Sequence, residues 1–302
     1  MYLQFLKKDF LRNRIIYFMA VPVVAYYAIF HYFPMYGAVI AFKEFNIAKS
    51  IWDSPWVGFE HFKVFLNSYY FWRLLRNTLL LNVFQLLWGF PAPIVLALLL
   101  NEIRLKWFKG IIQTVAYLPH FISVVVVCGM VVDFTSRSGI ITDLVVWLGG
   151  SRTALLSDAG NFRTIFISSG IWQEIGWGSI IYLAALSGIN PDLYEAATVE
   201  GAGRFKQMQF VTLPGIMPVV VILLILKIGH MMDVGFEKVI LLYNPNTYET
   251  ADVISSFVYR SGLTGGEYSY SSAIGLFQSL INFILLIAAN GLARRTSENS
   301  LW

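Results

Sequence analysis

Six apolar runs, each close to the length a lipid bilayer demands, constrain this chain more than any other feature. They cover about residues 15–33, 77–100, 110–132, 165–189, 214–232 and 272–292. A hydrocarbon core of about 30 Å takes roughly 20 helical residues to cross. Within lipid, each backbone N–H and C=O must be satisfied inside its own segment, which leaves helices or closed barrels. The runs are too long for barrel strands. The expectation is therefore an all-α integral membrane protein with six transmembrane helices, organised as one transmembrane domain over residues 1–302. The chain is 57% hydrophobic and 13% charged, about half the charged share of soluble domains, roughly 25%.

The first run follows Lys7, Lys8, Arg12 and Arg14. No small-x-small cleavage site comes after it, so it reads as an uncleaved first span rather than a signal peptide. Pro34, Gly37 and the apolar stretch after them extend it with a kink. Pro91, Pro93 and Pro119 predict bends in the second and third spans. Between spans, residues 43–76 carry a headgroup-level belt of Trp52, Trp56, Phe59, Tyr69, Tyr70 and Trp72. Six spans place both termini on the same side. Lys7, Lys8, Arg12, Arg14, Arg104, Lys106, Lys109, Arg204, Lys206, Arg294 and Arg295 are concentrated in the short segments of that side, so positive density favours it as the cytoplasmic one, although the raw total over both sides is nearly equal.

Several functions lose support at once. The net charge of +4 is modest and its lysines and arginines flank apolar runs, which suits membrane lipid and not nucleic acid. The single Cys128 excludes an intrachain disulfide and a thiolate cluster. No phosphate-binding glycine loop, zinc-protease helix motif or nucleophile elbow occurs. His31, His61, His120 and His230 are isolated in sequence. The chain offers no catalytic residues, no metal ligands and no cofactor site of its own.

The polar island from Asn190 to Pro218 stands between two apolar runs. Asn190 can cap a helix, Pro191 suits its first position and Asp192 favours its positive end. A short helix is expected from Pro191 to about Val199, broken at Gly201 and Gly203. A second, from Arg204 to about Val211, leads into Pro214 and the next span. Glu195-Ala196-Ala197, then Glu200-Gly201-Ala202, Phe205, Leu213-Pro214 and Pro218, resemble the EAA loop of binding-protein-dependent ABC importer permeases. Glu200 departs from the commoner Asp and keeps the charge. Tyr36-Gly37, Phe42-Lys43 and Gly58-Phe59-Glu60 resemble permeases of the oligosaccharide-import branch, and the stretch Asp233 to Leu263 resembles the polysaccharide-type branch of the maltose-permease-like family.

This resemblance implies the type I importer permease fold, with residues 190–213 as a cytoplasmic coupling helix and loop. Glu195, Glu200 and Arg204 would make polar contacts to an ATPase, while Ala196, Ala197 and Gly201 allow close approach. It implies a second related permease subunit and two ATPase subunits that carry the ATP and Mg. It also implies an extracellular solute-binding protein that delivers an oligosaccharide or polysaccharide fragment. The location implied is the bacterial cytoplasmic membrane.

Counted from the cytoplasmic ends at about 1.5 Å per residue, several polar residues fall in one layer. These are Gln85, His120, Glu174, Lys227, Gln278 and Asn282, with Gln173, Trp177 and Tyr182 beside Glu174. Two readings stay open: interhelical glue, or the lining of a cavity in which Trp172, Trp177 and Tyr182 meet sugar faces. Glu174 and Lys227 are expected to pair across the fourth and fifth spans. The rivals are an ion-driven secondary transporter using Glu174 and Lys227 as a relay, a membrane-embedded enzyme, and an importer of peptides or other non-sugar solutes.

Overall fold

The computed structural model describes residues 12–48 and 50–296. Lys7 and Lys8, counted above among the cytoplasmic charges, lie outside them. Among the described residues the architecture is helical, and strand-like pairing is limited to an isolated bridge between Lys43 and Trp56. In chain order the principal helices are α1 (Arg14–Phe42), α2 (Glu60–Leu66), α3 (Phe71–Glu102), α4 (Lys106–Phe121), α5 (Val124–Phe134) and α6 (Ile140–Trp147). They continue with α7 (Ala159–Ser187), α8 (Pro191–Val199), α9 (Arg204–Gly229), α10 (Phe236–Leu242), α11 (Ile254–Tyr259) and α12 (Tyr268–Thr296).

The expected spans differ in kind. Helices α1, α3, α9 and α12 are long and apolar enough to cross a bilayer. The third run is not one straight helix: α4 and α5 reach the required length only together, and they meet at 101°. Helix α7 has 29 residues and is long enough, but it is not among the helices apolar enough to cross by composition alone. Its middle holds Ser168, Ser169, Gly170, Gln173, Glu174, Gly176, Gly178 and Ser179.

Proline explains most of the irregular turns. A π turn ends two residues before Pro34 (Ala28–Tyr32), before Pro91 (Gln85–Gly89) and before Pro214 (Met208–Thr212). Proline lacks an N–H and its ring crowds the carbonyl four residues back. In each wide turn an N–H reaches back five residues instead, as Phe90 does to the Gln85 carbonyl at 3.0 Å. One extra residue absorbs the ring and the helix continues. The short helix expected at 204–211 is for this reason continuous with the span after it. At Pro119 the helix tightens into a 3-10 turn, Leu118–Phe121, and then breaks.

The segment after α9, expected as an outer loop, folds into helical pieces that close two cores. Val234, Val239, Leu242, Ala251 and Val253 pack with Leu81, Val127, Cys128, Phe162 and Phe166. Met232, Ile254 and Phe257 pack with Phe65, Phe71, Leu74 and Ile274. A buried polar hub joins this end. The Asp252 carboxylate, with no exposure, accepts from Arg73 Nη2 at 3.0 Å, Arg260 Nη2 at 2.9 Å and Ser256 Oγ at 2.9 Å. Asn77 donates to the Asp252 and Glu249 carbonyls and accepts from Arg163. The hub thereby ties α3 and α7 to the segment before α11. Burial works against the Arg260 charge, but Asp252 and Tyr243 together more than offset it and hold the guanidinium pKa above its ordinary value.

Helix α1 stands apart. Its first half, Arg14–Tyr27, contributes no buried residue. Among the described residues its extensive packing is at the far end, where Tyr36–Phe42 lies along α12 and Ala41 is fully buried.

Candidate functional site

At one end of the molecule the polar island forms a rigid knob. Asn190 Oδ1 accepts from the Asp192 N–H at 3.0 Å and starts α8, with Pro191 in the first position. Helix α8 ends in paired bonds, Gly201 N–H to Thr198 C=O at 3.0 Å and Ala202 N–H to Ala197 C=O at 2.9 Å. This closure puts the residue after the cap in the left-handed region, and Gly201 has φ +77°. A Cβ on Gly201 would meet no atom within 4 Å, so within this chain the backbone angle alone requires glycine. Gln207 Nε2 donates to Thr198 Oγ1 at 2.9 Å and to the Ala202 carbonyl at 3.0 Å, while the Tyr194 hydroxyl meets Thr212 Oγ1 at 3.1 Å. Those bonds fix α8 to the base of α9.

The outer surface of the knob is free. Glu195, Ala196, Glu200, Gly201 and Arg204 are exposed and Ala197 is half-buried. Val199 is 89% and Phe205 72% exposed. Between α8 and the start of α9 runs a groove of about 410 Å³, floored by Ala196, Ala197 and Gly201 and rimmed by Leu193, Lys206 and Phe210. Small residues on a floor beside bare apolar side chains make a surface built to be covered.

The second candidate site is the polar layer, and the structure divides it. Gly176 lies against the Ala116 carbonyl, where a side chain would collide, so α4 approaches α7 closely at its break. There His120 Nδ1 meets Glu174 Oε2 at 3.0 Å. The imidazole stacks on Trp177 at 4.5 Å with the planes 2° apart. Glu174 remains 54% exposed. Gln173 is buried and donates to the Ile122 carbonyl at 3.3 Å, satisfying backbone freed by the bend. A second group closes the end of α9. Gln278 Nε2 donates to the Met232 carbonyl at 3.0 Å and to Asp233 Oδ1 at 2.7 Å, and Asn282 Oδ1 accepts from the Met232 N–H at 2.8 Å. Gln85 lies in the π turn of α3, folded over Gly89, with Oε1 toward Gly170.

Two expectations are corrected. Tyr182 is 3% exposed and packs with Ala97, Leu186 and Ile216 in the core at the knob end. The i+8 position from Glu174 faces α3 there, through Gly178 against Pro93, so Tyr182 presents no ring to a cavity. Glu174 and Lys227 form no ion pair; the carboxylate meets His120 instead. Lys227 is exposed on α9.

One residue of this layer was not anticipated. Lys238, on α10, reaches α7: its Nζ donates to the Phe166 carbonyl at 3.0 Å and lies 4.9 Å from the Phe166 ring centre. Gly170 makes room, since a Cβ there would sit 3.1 Å from the ammonium. Burial pushes the Lys238 pKa down to about 8, against the pull of Cys128 and Glu174. A lysine in an apparent loop gives no local sign that its helix turns back onto a span.

The family model described as binding-protein-dependent transport system inner membrane component matches residues 89–298. Protein LplB of Bacillus subtilis (strain 168) is 44% identical over 292 residues, covering 96% of this chain and 92% of LplB. The polygalacturonan/rhamnogalacturonan transport system permease protein YteP of the same organism is 43% identical over 293 residues, covering 97% and 91%. Among solved structures, a chain of a bacterial alginate ABC transporter in complex with an alginate pentasaccharide-bound periplasmic protein superposes with a TM-score of 0.89. It is 43% identical, with 97% of this chain and 99% of that chain covered.

Proposed function

The chain belongs to the family of binding-protein-dependent transport system inner membrane components, and on that premise we propose that it is a permease subunit of an ATP-driven importer, passing an oligosaccharide delivered by an extracellular binding protein. The observation that carries this reading is the likeness of nearly the whole chain to a sugar-transporter subunit of known structure. In this reading α1, α3, the α4–α5 pair, α7, α9 and α12 are six crossings with both termini in the cytoplasm. A polar α7 is tolerable as a crossing if neighbouring helices and a hydrated path surround it.

A second, related permease subunit completes the path, and two ATPase subunits hold ATP and Mg. The knob is the contact to the ATPase. Val199 and Phe205 supply apolar area, Ala196, Ala197 and Gly201 admit close approach, and Glu195, Glu200 and Arg204 add polar contacts. The bent junction of α4 and α5, with His120, Glu174 and Trp177, is the part of the layer assigned to substrate. Gln173, Gln278 and Asn282 hold helix ends together. Co-expression with a partner permease and an ATPase, followed by reconstitution, tests the assignment. Saccharide-loaded binding protein should stimulate ATP hydrolysis and ATP-dependent uptake, and a vesicle that takes up saccharide on an ion gradient alone refutes it.

A further inference from the structure

Arg163 stands at the depth where a membrane helix meets lipid headgroups. Helix α7 has 29 residues, so Arg163 lies about 15 Å from its centre. That equals half of a hydrocarbon core of about 30 Å. Arg76, counted the same way along α3, lies at about the same level. Arg163 Nη2 donates to Asn77 Oδ1 at 2.9 Å, its Nε has no acceptor, and no carboxylate pairs with it among the described residues. Arg76 Nη2 goes to the Glu249 carbonyl. The exposed Glu249 carboxylate lies within electrostatic reach of Arg163, and so does Arg76. The nearby Asp252 is already shared by Arg73 and Arg260. Guanidinium groups therefore outnumber carboxylates at this level, and a cation there needs a partner.

Beside Arg163 a groove of about 380 Å³ runs between α3 and α7. Phe84, Trp88, Ile167 and Ile171 line it, with Thr164 and Ser168, and Trp88 is 66% exposed. Ile171 is about 3 Å from the centre of α7. The groove thus reaches from the headgroup boundary almost to the midplane, the depth of one leaflet. Thr164 and Ser168 also line a larger groove of about 780 Å³ against α5 and α6, but Asp158 stands at its margin and would repel an anion. Charge singles out the smaller groove.

We propose that the α3–α7 groove holds an anionic glycerophospholipid of the outer leaflet, with its phosphate on Arg163 and one acyl chain against Trp88, Ile167 and Ile171. Basic pockets between spanning helices take lipid head groups, and the arginine fork matches phosphate oxygens. A lipid with a net negative charge answers the excess of arginine, whereas a zwitterionic one brings a cation of its own. The choice of leaflet rests on the import reading above, which sets the orientation.

The test uses the complete transporter, reconstituted with phosphatidylglycerol or phosphatidylcholine carrying the same photoactivatable acyl chain. Labelled peptides are mapped after irradiation, with the exposed Phe283 and Ile284 of α12 as the reference within each preparation. Label from phosphatidylglycerol should concentrate at Phe84–Trp88 and Ile167–Ile171 and exceed that from phosphatidylcholine. Arg163→Gln should lower it about tenfold, the loss of one charge-assisted hydrogen bond. Thr164→Trp fills the mouth, leaves Arg163 its bond to Asn77, and should lower the label as far. Equal label from the two lipids, or label that persists in either variant, overturns the site. Capture of the second permease by a photo-crosslinking residue in place of Trp88 also overturns it, because a protein helix then covers the groove. Groove labelling without saccharide-stimulated ATP hydrolysis removes the import reading and leaves the lipid site; stimulated hydrolysis without groove preference does the reverse.

Discussion

Asp252 is the place to measure what holds the hub end of this protein together. Its carboxylate is fully buried and takes four donor contacts: Arg73 Nη2, Arg260 Nη2, Arg260 Nη1 at 3.2 Å and Ser256 Oγ. Removing one partner of a buried ion pair costs about 3–5 kcal/mol. The arginine side chains are 24% and 31% exposed, so after Asp252→Ala water can partly solvate them. That places the expected loss near the lower bound, about 3 kcal/mol. At 1.4 kcal/mol per tenfold, the segment around residues 248–260 should open on the order of 100-fold more often. Hydrogen exchange on the assembled transporter, read on peptides covering that segment, measures this opening directly. The triple variant Asp252→Ala, Arg73→Met, Arg260→Met removes the stranded charges and should regain much of the protection. A change below tenfold in Asp252→Ala, or a triple variant more open than the single one, refutes the argument that charge burial holds this end.

Three further outcomes are expected. Gly201→Asn should preserve the knob, because Asn accepts a left-handed angle and the surrounding space is open. It should still lower binding-protein-stimulated ATP hydrolysis at least tenfold if the ATPase packs against that turn, whereas full stimulation reduces Gly201 to a helix stop. His120→Asn and Glu174→Gln should be non-additive in uptake, with a coupling of about 1 kcal/mol for their charge-assisted contact; Lys227→Met should not rescue Glu174→Gln, and such rescue would restore the Glu174–Lys227 pair. In intact cells an impermeant thiol reagent should label Ser151→Cys and Asn246→Cys but not Lys206→Cys, and labelling at Lys206→Cys inverts the orientation.

The knob was legible in the sequence because its determinants are local. A capping Asn, a proline behind it and a glycine eleven positions on specify α8 and its end without help from distant residues. Helices α1, α3, α9 and α12 were legible for the same reason, since they are long and apolar enough to be read from composition. What stayed hidden depends on approach between segments. Glu174 finds His120 at a 101° bend whose size no proline announces. Tyr182 and Glu174 share a helical stripe, yet one is core and the other open, because Gly178 brings α3 against only part of that stripe. Lys238 and Asp252 sit in what composition reads as a loop, and folding of that loop onto α7 and α3 is what gives Lys238 the Phe166 carbonyl and Asp252 its Arg73.

The Asp252 hub also sets a clock on biosynthesis. Arg73 and its carboxylate partner are 179 residues apart in sequence. At roughly 5–20 residues per second, about 10–40 s pass between synthesis of the arginine and of the aspartate. The second apolar helix must be held through that interval with Arg73, Arg76 and Asn77 lacking their native ties to the later segment. Most of the chain is therefore made before this end can lock. An early stop before Asp252 would release a nascent protein whose helices are inserted but whose hub end has no means of closing, a ready substrate for membrane quality-control proteases.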